Sequence, residues 1–230
     1  MSFWALIPAY NEADRIADTV TAVRTVDDVA GILVVDDGST DTTSDRATAA
    51  GARVLTLAQN QGKGAALDRG VEWIARNVGE SDIVLLDGDL GATAAQAALL
   101  TGPVARGEAD MTIARFPRPH GKAGFGLVKG LARWGIRTLG STRFDAQAPL
   151  SGQRALDSAA VAVCTPFAQG YGVEVALTVR ALRAGLNVME VETTMAHAAT
   201  GRDVAGFAHR GRQFLHVART LASLALRRAR

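Results

Sequence analysis

The amino-acid sequence predicts an α/β protein, with a mainly parallel sheet covered by helices on both faces. Short apolar runs rich in Val, Ile and Leu alternate with amphipathic helical patterns through the first 115 residues. Such alternation is typical of a doubly wound sheet. With 230 residues, 48% of them hydrophobic, the chain can bury a sizeable core. We therefore expect a single α/β domain that ends in a C-terminal amphipathic helix.

The predicted elements follow from local patterns. The first half is assigned strands at 4–9, 31–37, 52–58, 82–89 and 109–115, and helices at 12–29, 40–50, 64–77 and 93–105. The alternation then loosens. The second half is assigned helices at 123–139, 173–184 and 204–228, a strand at 187–192, and loops at 116–122 and 141–152.

Composition excludes several classes of protein. The chain has one cysteine, Cys164, which excludes an internal disulfide and a Cys-based zinc cluster. The N-terminal residues lack the basic segment of a signal peptide, and no apolar run approaches the roughly 18 residues of a membrane span. We expect a cytoplasmic protein, with peripheral contact at the inner face of the cell membrane as an extension of that prediction.

Charge is segregated along the chain, although the net charge is only +2. Residues 1–110 carry a net charge of −9, and residues 111–144 carry seven bases and no acid. Residues 201–230 carry a net charge of +6. An acidic half suited to a divalent metal is thus followed by basic stretches suited to phosphate.

Polar clusters follow three predicted strands, where ligands of parallel sheets bind. Asp87-Gly88-Asp89 offers two hard carboxylates, the ligands that Mg²⁺ and Mn²⁺ prefer, although a solvated turn has the same composition. Asp36 can accept from a nucleoside, while Ser39 and Thr40 can cap the next helix.

Two further segments carry potential ligand contacts. The segment from Pro8 to Glu12 offers Tyr10 as a stacking surface for a base, and a plain helix start is the alternative. The segment 60–64 lets the backbone approach a ligand, with Lys63 as a point charge. It lacks the spacing of a phosphate-binding P-loop.

The order of these motifs resembles the catalytic half of family 2 glycosyltransferases with the GT-A fold. The motifs are IPAYNEADRI, VVDDGSTDTT, NQGKGAALDRG and LLDGDL. Downstream, Arg115, the segment 149–154 and GYGVEVALTVRALRAG are similar to the polyprenyl-phosphate branch, which includes dolichyl-phosphate mannosyl- and glucosyltransferases. The resemblance implies a GT-A domain at 1–202, with a nucleotide-sugar half at 1–115 and an acceptor half at 116–202, followed by a basic amphipathic helix at 203–230.

The resemblance also implies roles for individual residues. The donor nucleotide sugar, with GDP-mannose and UDP-glucose both open, would be bound by Pro8, Ala9, Tyr10, Glu12, Asp36, Asp37, Lys63, Asp87, Gly88, Asp89 and Arg115. Asp87 and Asp89 would hold Mg²⁺ or Mn²⁺. The acceptor would be bound by Arg118, Ser151, Gln153, Arg154, His197 and Arg202, and the catalytic set would be Asp89, Arg115, Asp145 and Arg154.

The expected reaction moves a hexose to a polyprenyl phosphate with inversion at the anomeric carbon. The metal would offset the charge of the leaving diphosphate, and an anionic acceptor would need positioning rather than a base. A hydroxyl acceptor would need a general base, and Asp145 is the candidate. Two departures from the polyprenyl-phosphate branch leave the identity of the acceptor open. Gln153 replaces the usual aromatic residue, and the long membrane anchor that many of those enzymes carry is not expected here.

Three alternatives remain at this point. The first is an enzyme with a small phosphorylated or hydroxyl acceptor, as in glucosyl-phosphoglycerate synthesis. The second is a non-catalytic module that binds a nucleotide or lipid. The third concerns the tail helix, whose arginines and apolar residues suit a membrane interface, packing against this domain, or a homodimer partner. Nucleic acid is not expected to bind, and Trp73, Trp134 and Cys164 are predicted to pack in the interior.

Overall fold

A computed structural model describes residues 2–116, 126–196 and 205–226. Its strands are β1 (Phe3–Ala9), β2 (Val29–Asp36), β3 (Arg53–Thr56), β4 (Asp82–Leu85), β5 (Met111–Arg115), β6 (Arg154–Leu156) and β7 (Val188–Glu192). Its α-helices are α1 (Ile16–Val23), α2 (Thr43–Ala49), α3 (Lys63–Asn77), α4 (Ala97–Ala105), α5 (Gly126–Gly135), α6 (Ser158–Cys164), α7 (Val173–Arg183) and α8 (Ala205–Leu226). A 3₁₀ segment at Gly91–Gln96 leads into α4, and a π-helical segment at Ile136–Gly140 extends α5.

Within the described residues, one sheet has the strand order β3-β2-β1-β4-β6-β5-β7. Strands β3, β2, β1 and β4 pair in parallel, as do β5 and β7. Strand β6 runs antiparallel to both of its neighbours, β4 and β5. The carboxyl ends of β1, β2, β4, β5 and β7 therefore lie along the same edge of the sheet, and this edge carries the polar clusters.

Each face of the sheet is covered because alternate residues of a strand point to opposite sides. In β1, Phe3, Ala5 and Ile7 join the core that packs against α1 and α4. Trp4 and Leu6 join the core on the opposite face, against α3, α6 and α7. The sheet is thus buried on both sides, as the apolar composition of its strands predicts.

The C-terminal helix α8 packs on the domain across three glycines. A methyl group placed on Gly135 of α5 would lie 2.3 Å from Cδ2 of Leu221. Methyl groups on Gly170 and Gly172 would meet His216 at 2.0 Å and a Thr220 side chain at 1.9 Å. Small residues under the helix allow this close approach. Of the alternatives for the tail helix, the structure therefore shows packing against its own domain.

Helix α8 has one buried side and one exposed side. Leu221 and Leu224 of α8 are buried, whereas Leu215 is 53% exposed. Among the described helices, none is long and apolar enough to cross a bilayer. The predicted interfacial helix therefore retains one exposed apolar side, while its buried side is occupied by α5 and α7.

The predicted elements agree with the structure in the first half of the chain, where helix ends differ by a few residues. Strand β6 and helix α6 were not predicted; β6 has only three residues, too few for a recognisable period.

Cys164 is buried as predicted, and Trp73 is partly buried against Trp4. The prediction for Trp134 is wrong, because its side chain lies on the outer face of α5 and is 60% exposed. The predicted loop at 116–122 lies outside the described residues after Phe116.

Candidate active site

The polar clusters that follow β1, β2 and β4 come together at the sheet edge. Pairing aligns Ala9 with Asp36 and Leu6 with Leu85, so the residues just beyond these strands are neighbours. Tyr10 stands at this edge with 46% of its surface exposed; its predicted stacking on a base stays a prediction. Pro8 lies within β1, opposite Val35 of β2, and the pairing continues to Ala9 and Asp36.

The turn after β2 is held by Asp36 and the segment after β1. The Asp36 carboxylate accepts a hydrogen bond from the Ser39 backbone N–H at 2.8 Å and another from the Ser44 hydroxyl. Asn11, in the left-handed region at φ 56°, accepts from the Thr40 N–H through its side chain. Asp36 is only 2% exposed. Its carboxylate therefore supports the turn at the predicted donor site from the protein interior.

Asp37 positions the loop that contains Lys63. Its two carboxylate oxygens accept from the backbone N–H groups of Gln61 and Gly62, each at 2.7 Å. Gly38 (φ 74°) lets the loop approach, because a Cβ there would lie 2.6 Å from the carbonyl carbon of Gln59. The predicted donor residue Asp37 therefore acts on the loop, and through it on Lys63 at the start of α3.

Lys63 connects the two halves of the chain. Its Nζ lies 2.7 Å from Oδ1 of Asp87, which follows β4, and 3.3 Å from Oε1 of Glu174 on α7. Although desolvation favours the neutral amine, the Asp87 and Glu174 carboxylates raise the pKa of Lys63 above its usual range. Lys63 and Glu174 are 111 residues apart in the sequence, so no local pattern predicts this contact.

Asp87 is held on both sides. Besides Lys63 on Oδ1, the Gln153 side-chain amide donates to Oδ2 at 2.6 Å. A methyl group on Gly152 would lie 2.6 Å from Lys63 Nζ and 3.2 Å from Oδ2 of Asp87, so the 151–153 loop packs directly on this pair. The first carboxylate of the predicted metal pair is therefore oriented by two neighbours.

Negative charge accumulates beside this pair. Burial, together with the charges of Asp89 and Asp87, raises the pKa of the Glu12 carboxyl. A Cβ on Gly88 would contact Cγ of Glu12 at 3.3 Å, so the Glu12 side chain lies against the turn that carries Asp87 and Asp89. Such oxygen-rich, anionic surroundings fit Mg²⁺ or Mn²⁺.

A metal ion bound at this site would take ligands from the donor phosphates and water as well as from the protein. In the described part of the chain, no group of three His, Cys, Asp or Glu side chains is arranged to hold a metal ion. Mg²⁺ commonly binds through one or two carboxylates plus substrate phosphates and water. Asp89 and Asp87 fit that pattern, with donor phosphates completing the shell.

The predicted acceptor residues of the 151–154 segment lie deeper than expected. Ser151, Gln153 and Arg154 are buried, at 6%, 0% and 0% exposure. The Arg154 guanidinium donates to the Ser151 carbonyl at 2.9 Å and to the Thr178 hydroxyl at 2.9 Å. Burial lowers the pKa of Arg154 to about 10. A bidentate contact from Arg154 to an acceptor phosphate does not match this geometry; the residue supports the loop that carries Gln153.

Two predicted catalytic residues lie on the other side of β6. Arg115 ends β5, at the same edge as Asp87, and forms an ion pair with Glu192 of β7. Asp145 is in an exposed ion pair with Arg133 at 2.7 Å, and the hydrogen bond from Arg133 lowers the pKa of its carboxyl. A lowered pKa makes Asp145 a weaker base than predicted. The predicted acceptor residues Arg118, His197 and Arg202 lie outside the described residues.

The model of the family described as "Glycosyl transferase family 2" matches residues 4–148. This match covers the three strand ends and their carboxylates. The chain belongs to glycosyl transferase family 2. The resemblance stated from the motifs is confirmed at the level of the family, and the branch is not specified.

Curated relatives of this family 2 chain include two kinds of enzyme. Glycosyltransferase AglJ of Haloferax volcanii is 32% identical over 196 residues, covering 82% of this chain and 61% of the relative. Glucosyl-3-phosphoglycerate synthase of Mycolicibacterium paratuberculosis is also 32% identical over 196 residues, covering 76% of this chain and 58% of the relative. The chain thus spans about three-fifths of the length of these relatives.

Solved structures confirm the predicted GT-A fold. Glucosyl-3-phosphoglycerate synthase from Mycobacterium tuberculosis, in complex with Mn²⁺, uridine diphosphate and phosphoglyceric acid, superposes with a TM-score of 0.77 at 29% identity. The match covers 97% of this chain and 78% of that one. Another crystal structure of that enzyme contains Mg²⁺ and uridine diphosphate, with a TM-score of 0.76.

Proposed function

We propose that this family 2 chain transfers a hexose from a uridine diphosphate sugar to a small phosphorylated acceptor, with Mg²⁺ or Mn²⁺ bound at the end of β4. The observation that carries the proposal is the Asp87–Asp89 turn at the end of β4, where Lys63 and Gln153 orient Asp87 and the acidic Glu12 lies alongside. The relatives that bind a uridine nucleotide, a divalent metal and phosphoglycerate favour this acceptor over the polyprenyl phosphate expected from sequence.

The proposed roles follow from position and charge. When bound, the metal would supply positive charge to the leaving diphosphate. Asp89 and Asp87 would hold it, Tyr10 would stack on the base, and Lys63 would keep Asp87 oriented. Arg115 would place a further cation on the acceptor side of β4. These groups act mainly by positioning and by stabilising developing charge.

The donor half can be tested with Asp89→Asn. We expect turnover of UDP-glucose to fall by a factor on the order of 100–1,000, the usual effect of removing one group that stabilises developing charge. Thermal shift with uridine diphosphate and Mn²⁺ should stabilise the wild type and not the variant. Asp14→Asn, at an exposed carboxylate, is the matched control. Full turnover by Asp89→Asn would reject the proposal.

A second acceptor class is favoured by one observation. Trp134 and Leu127 of α5 are 60% and 82% exposed, beside the basic residues Arg133 and Arg137. This composition suits an anionic membrane surface, where a polyprenyl phosphate would be presented at the cytoplasmic face. Co-sedimentation with anionic liposomes, together with turnover of decaprenyl phosphate, would support this class. Turnover of 3-phosphoglycerate without liposome binding would reject it.

The stereochemical prediction of inversion is tested on the product itself. The anomeric proton coupling of the released glycoside distinguishes inverted from retained configuration. With a hydroxyl acceptor, inversion requires a base, and the candidate Asp145 carries the lowered pKa described above. A retained configuration would reject inversion while leaving the donor site unchanged.

A further inference from the structure

A second cavity opens at the same sheet edge, beyond the ends of β5 and β7. Its volume is about 520 Å³, within the range of small-ligand pockets. Five structural elements contribute to its wall: β5 and β7 ends, the 3₁₀–α4 segment, α5 and the 141–152 loop. The lining residues are Gln96, Leu99, Arg115, Phe116, Lys129, Gln147, Glu192, Thr193 and Thr194.

The wall of this cavity carries two cations from separate elements. Arg115 extends from β5, and Lys129 extends from the opposite side on α5. Among the described lining residues Glu192 is the one carboxylate, and its side chain is 79% exposed, compared with 39% for Arg115. The lining therefore keeps a net positive charge, which favours an anionic ligand.

The polar groups of the wall are fixed, and one of them lacks a partner. Gln96 exchanges two hydrogen bonds with Thr194, each at 2.7 Å. Thr193 is only 4% exposed, and its Oγ1 is buried with no hydrogen-bond partner among the described residues. Buried hydroxyls are normally paired. An oxygen atom of a bound ligand would supply the missing partner.

The cavity lies within reach of the donor site. The pairing sets Leu85 of β4 opposite Arg154 of β6, and Arg154 opposite Ile113 of β5. With neighbouring strands about 4.8 Å apart, the ends of β4 and β5 are separated by about 10 Å. That span accommodates a hexose between a diphosphate near Asp89 and an anion in the cavity.

We infer that this cavity binds the anionic group, phosphate or carboxylate, of the acceptor, with Lys129, Arg115 and the Thr193 hydroxyl as its contacts. The inference rests on the proposed function and assigns its acceptor side. It also gives Lys129 a specific binding role. From the sequence alone, Lys129 is only one of the seven bases in residues 111–144.

The test compares Lys129→Gln with Arg76→Gln, a 77% exposed residue of α3 that does not line the cavity. We expect Lys129→Gln to raise the KM for 3-phosphoglycerate about 10-fold or more, as loss of one charge-assisted contact does. The KM for UDP-glucose and its hydrolysis with Mn²⁺ in the absence of acceptor should stay unchanged. Thr193→Val should raise the same KM by a smaller factor.

The outcomes separate the inference from the proposed function. If donor hydrolysis persists and Lys129→Gln behaves like Arg76→Gln toward 3-phosphoglycerate and decaprenyl phosphate, the cavity assignment is overturned. An effect on decaprenyl phosphate alone supports the anion site and replaces the free acceptor with a lipid. If neither acceptor is turned over and UDP-glucose is not hydrolysed, the proposed function fails. Titration calorimetry of 3-phosphoglycerate into wild type and Lys129→Gln then decides whether the cavity binds the anion.

Discussion

The docking of α8 gives a stability prediction that can be worked from two glycines of one helix. Gly130 and Gly135 both lie in α5. A Cβ on Gly130 meets nothing within 4 Å, whereas a Cβ on Gly135 lies 2.3 Å and 2.5 Å from the two Cδ atoms of Leu221. Alanine substitution at the two positions therefore makes the same chemical change in different surroundings.

The expected free energies have opposite signs. Gly130→Ala should stabilise the protein by about 0.5–1 kcal/mol, because alanine is the better helix former. Gly135→Ala gains the same preference but overpacks a buried contact, which costs about 1–3 kcal/mol. The three contacts under 3 Å place this cost near the upper limit, for a net loss of about 2 kcal/mol. At about 2–4 °C per kcal/mol for a chain of this size, Tm should rise by about 1–4 °C for Gly130→Ala and fall by about 4–8 °C for Gly135→Ala.

Differential scanning calorimetry and urea unfolding measure both variants. The pair Gly135→Ala and Leu221→Ala completes a double-mutant cycle. The combined loss should be smaller than the sum, because the added methyl group occupies part of the space that Leu221 vacates. If Gly135→Ala stabilised the protein as Gly130→Ala does, Leu221 would not rest on α5 in solution, and the docking of the tail helix would be refuted.

Three other predictions concern single side chains. Gln153→Leu should weaken Mn²⁺-dependent turnover on the order of 10-fold, because Asp87 loses a hydrogen-bond partner; an unchanged Mn²⁺ titration contradicts this. Asp145→Asn should change kcat less than about 10-fold, since its ion pair with Arg133 favours a structural role; a general base would lose about 100-fold or more. Burial raises the pKa of Asp157, the N-cap of α6, so its carboxylate costs stability as pH rises through that pKa. Asp157→Asn keeps a good cap and should be at least as stable as wild type at pH 7 in urea unfolding, with no advantage near pH 3.5; a less stable variant at pH 7 rejects the argument.

The sequence was sufficient to predict the strand ends and their carboxylates. Asp36 and Asp87 each follow an apolar run, and parallel pairing requires such ends to meet at one edge. This step needs only strand order and direction. The family resemblance then supplied roles that the strand pattern alone does not give.

The partners of those residues were not predictable in the same way. Lys63 and Glu174 meet over a separation of 111 residues, and local patterns carry no information about such a contact. Arg154 looked available for a phosphate, but it begins β6, a three-residue strand that sits between β4 and β5 and buries it. Trp134 lies on an amphipathic helix whose outer face could not be distinguished from its inner face by composition.

The packing of α8 connects these two sets of observations. Leu221 lies on α5, the helix that carries Lys129 to the second cavity. The Arg183 guanidinium of α7 donates to the Leu224 carbonyl of α8 at 3.0 Å, and α7 also carries Glu174 to Lys63. One basic helix therefore braces α5, which carries Lys129 to the acceptor cavity, and α7, whose Glu174 contacts Lys63 beside Asp87. Because the β1, β2 and β4 ends have their own buried core against α1 and α4, loosening α8 should affect the KM for the acceptor before it affects binding of the nucleotide.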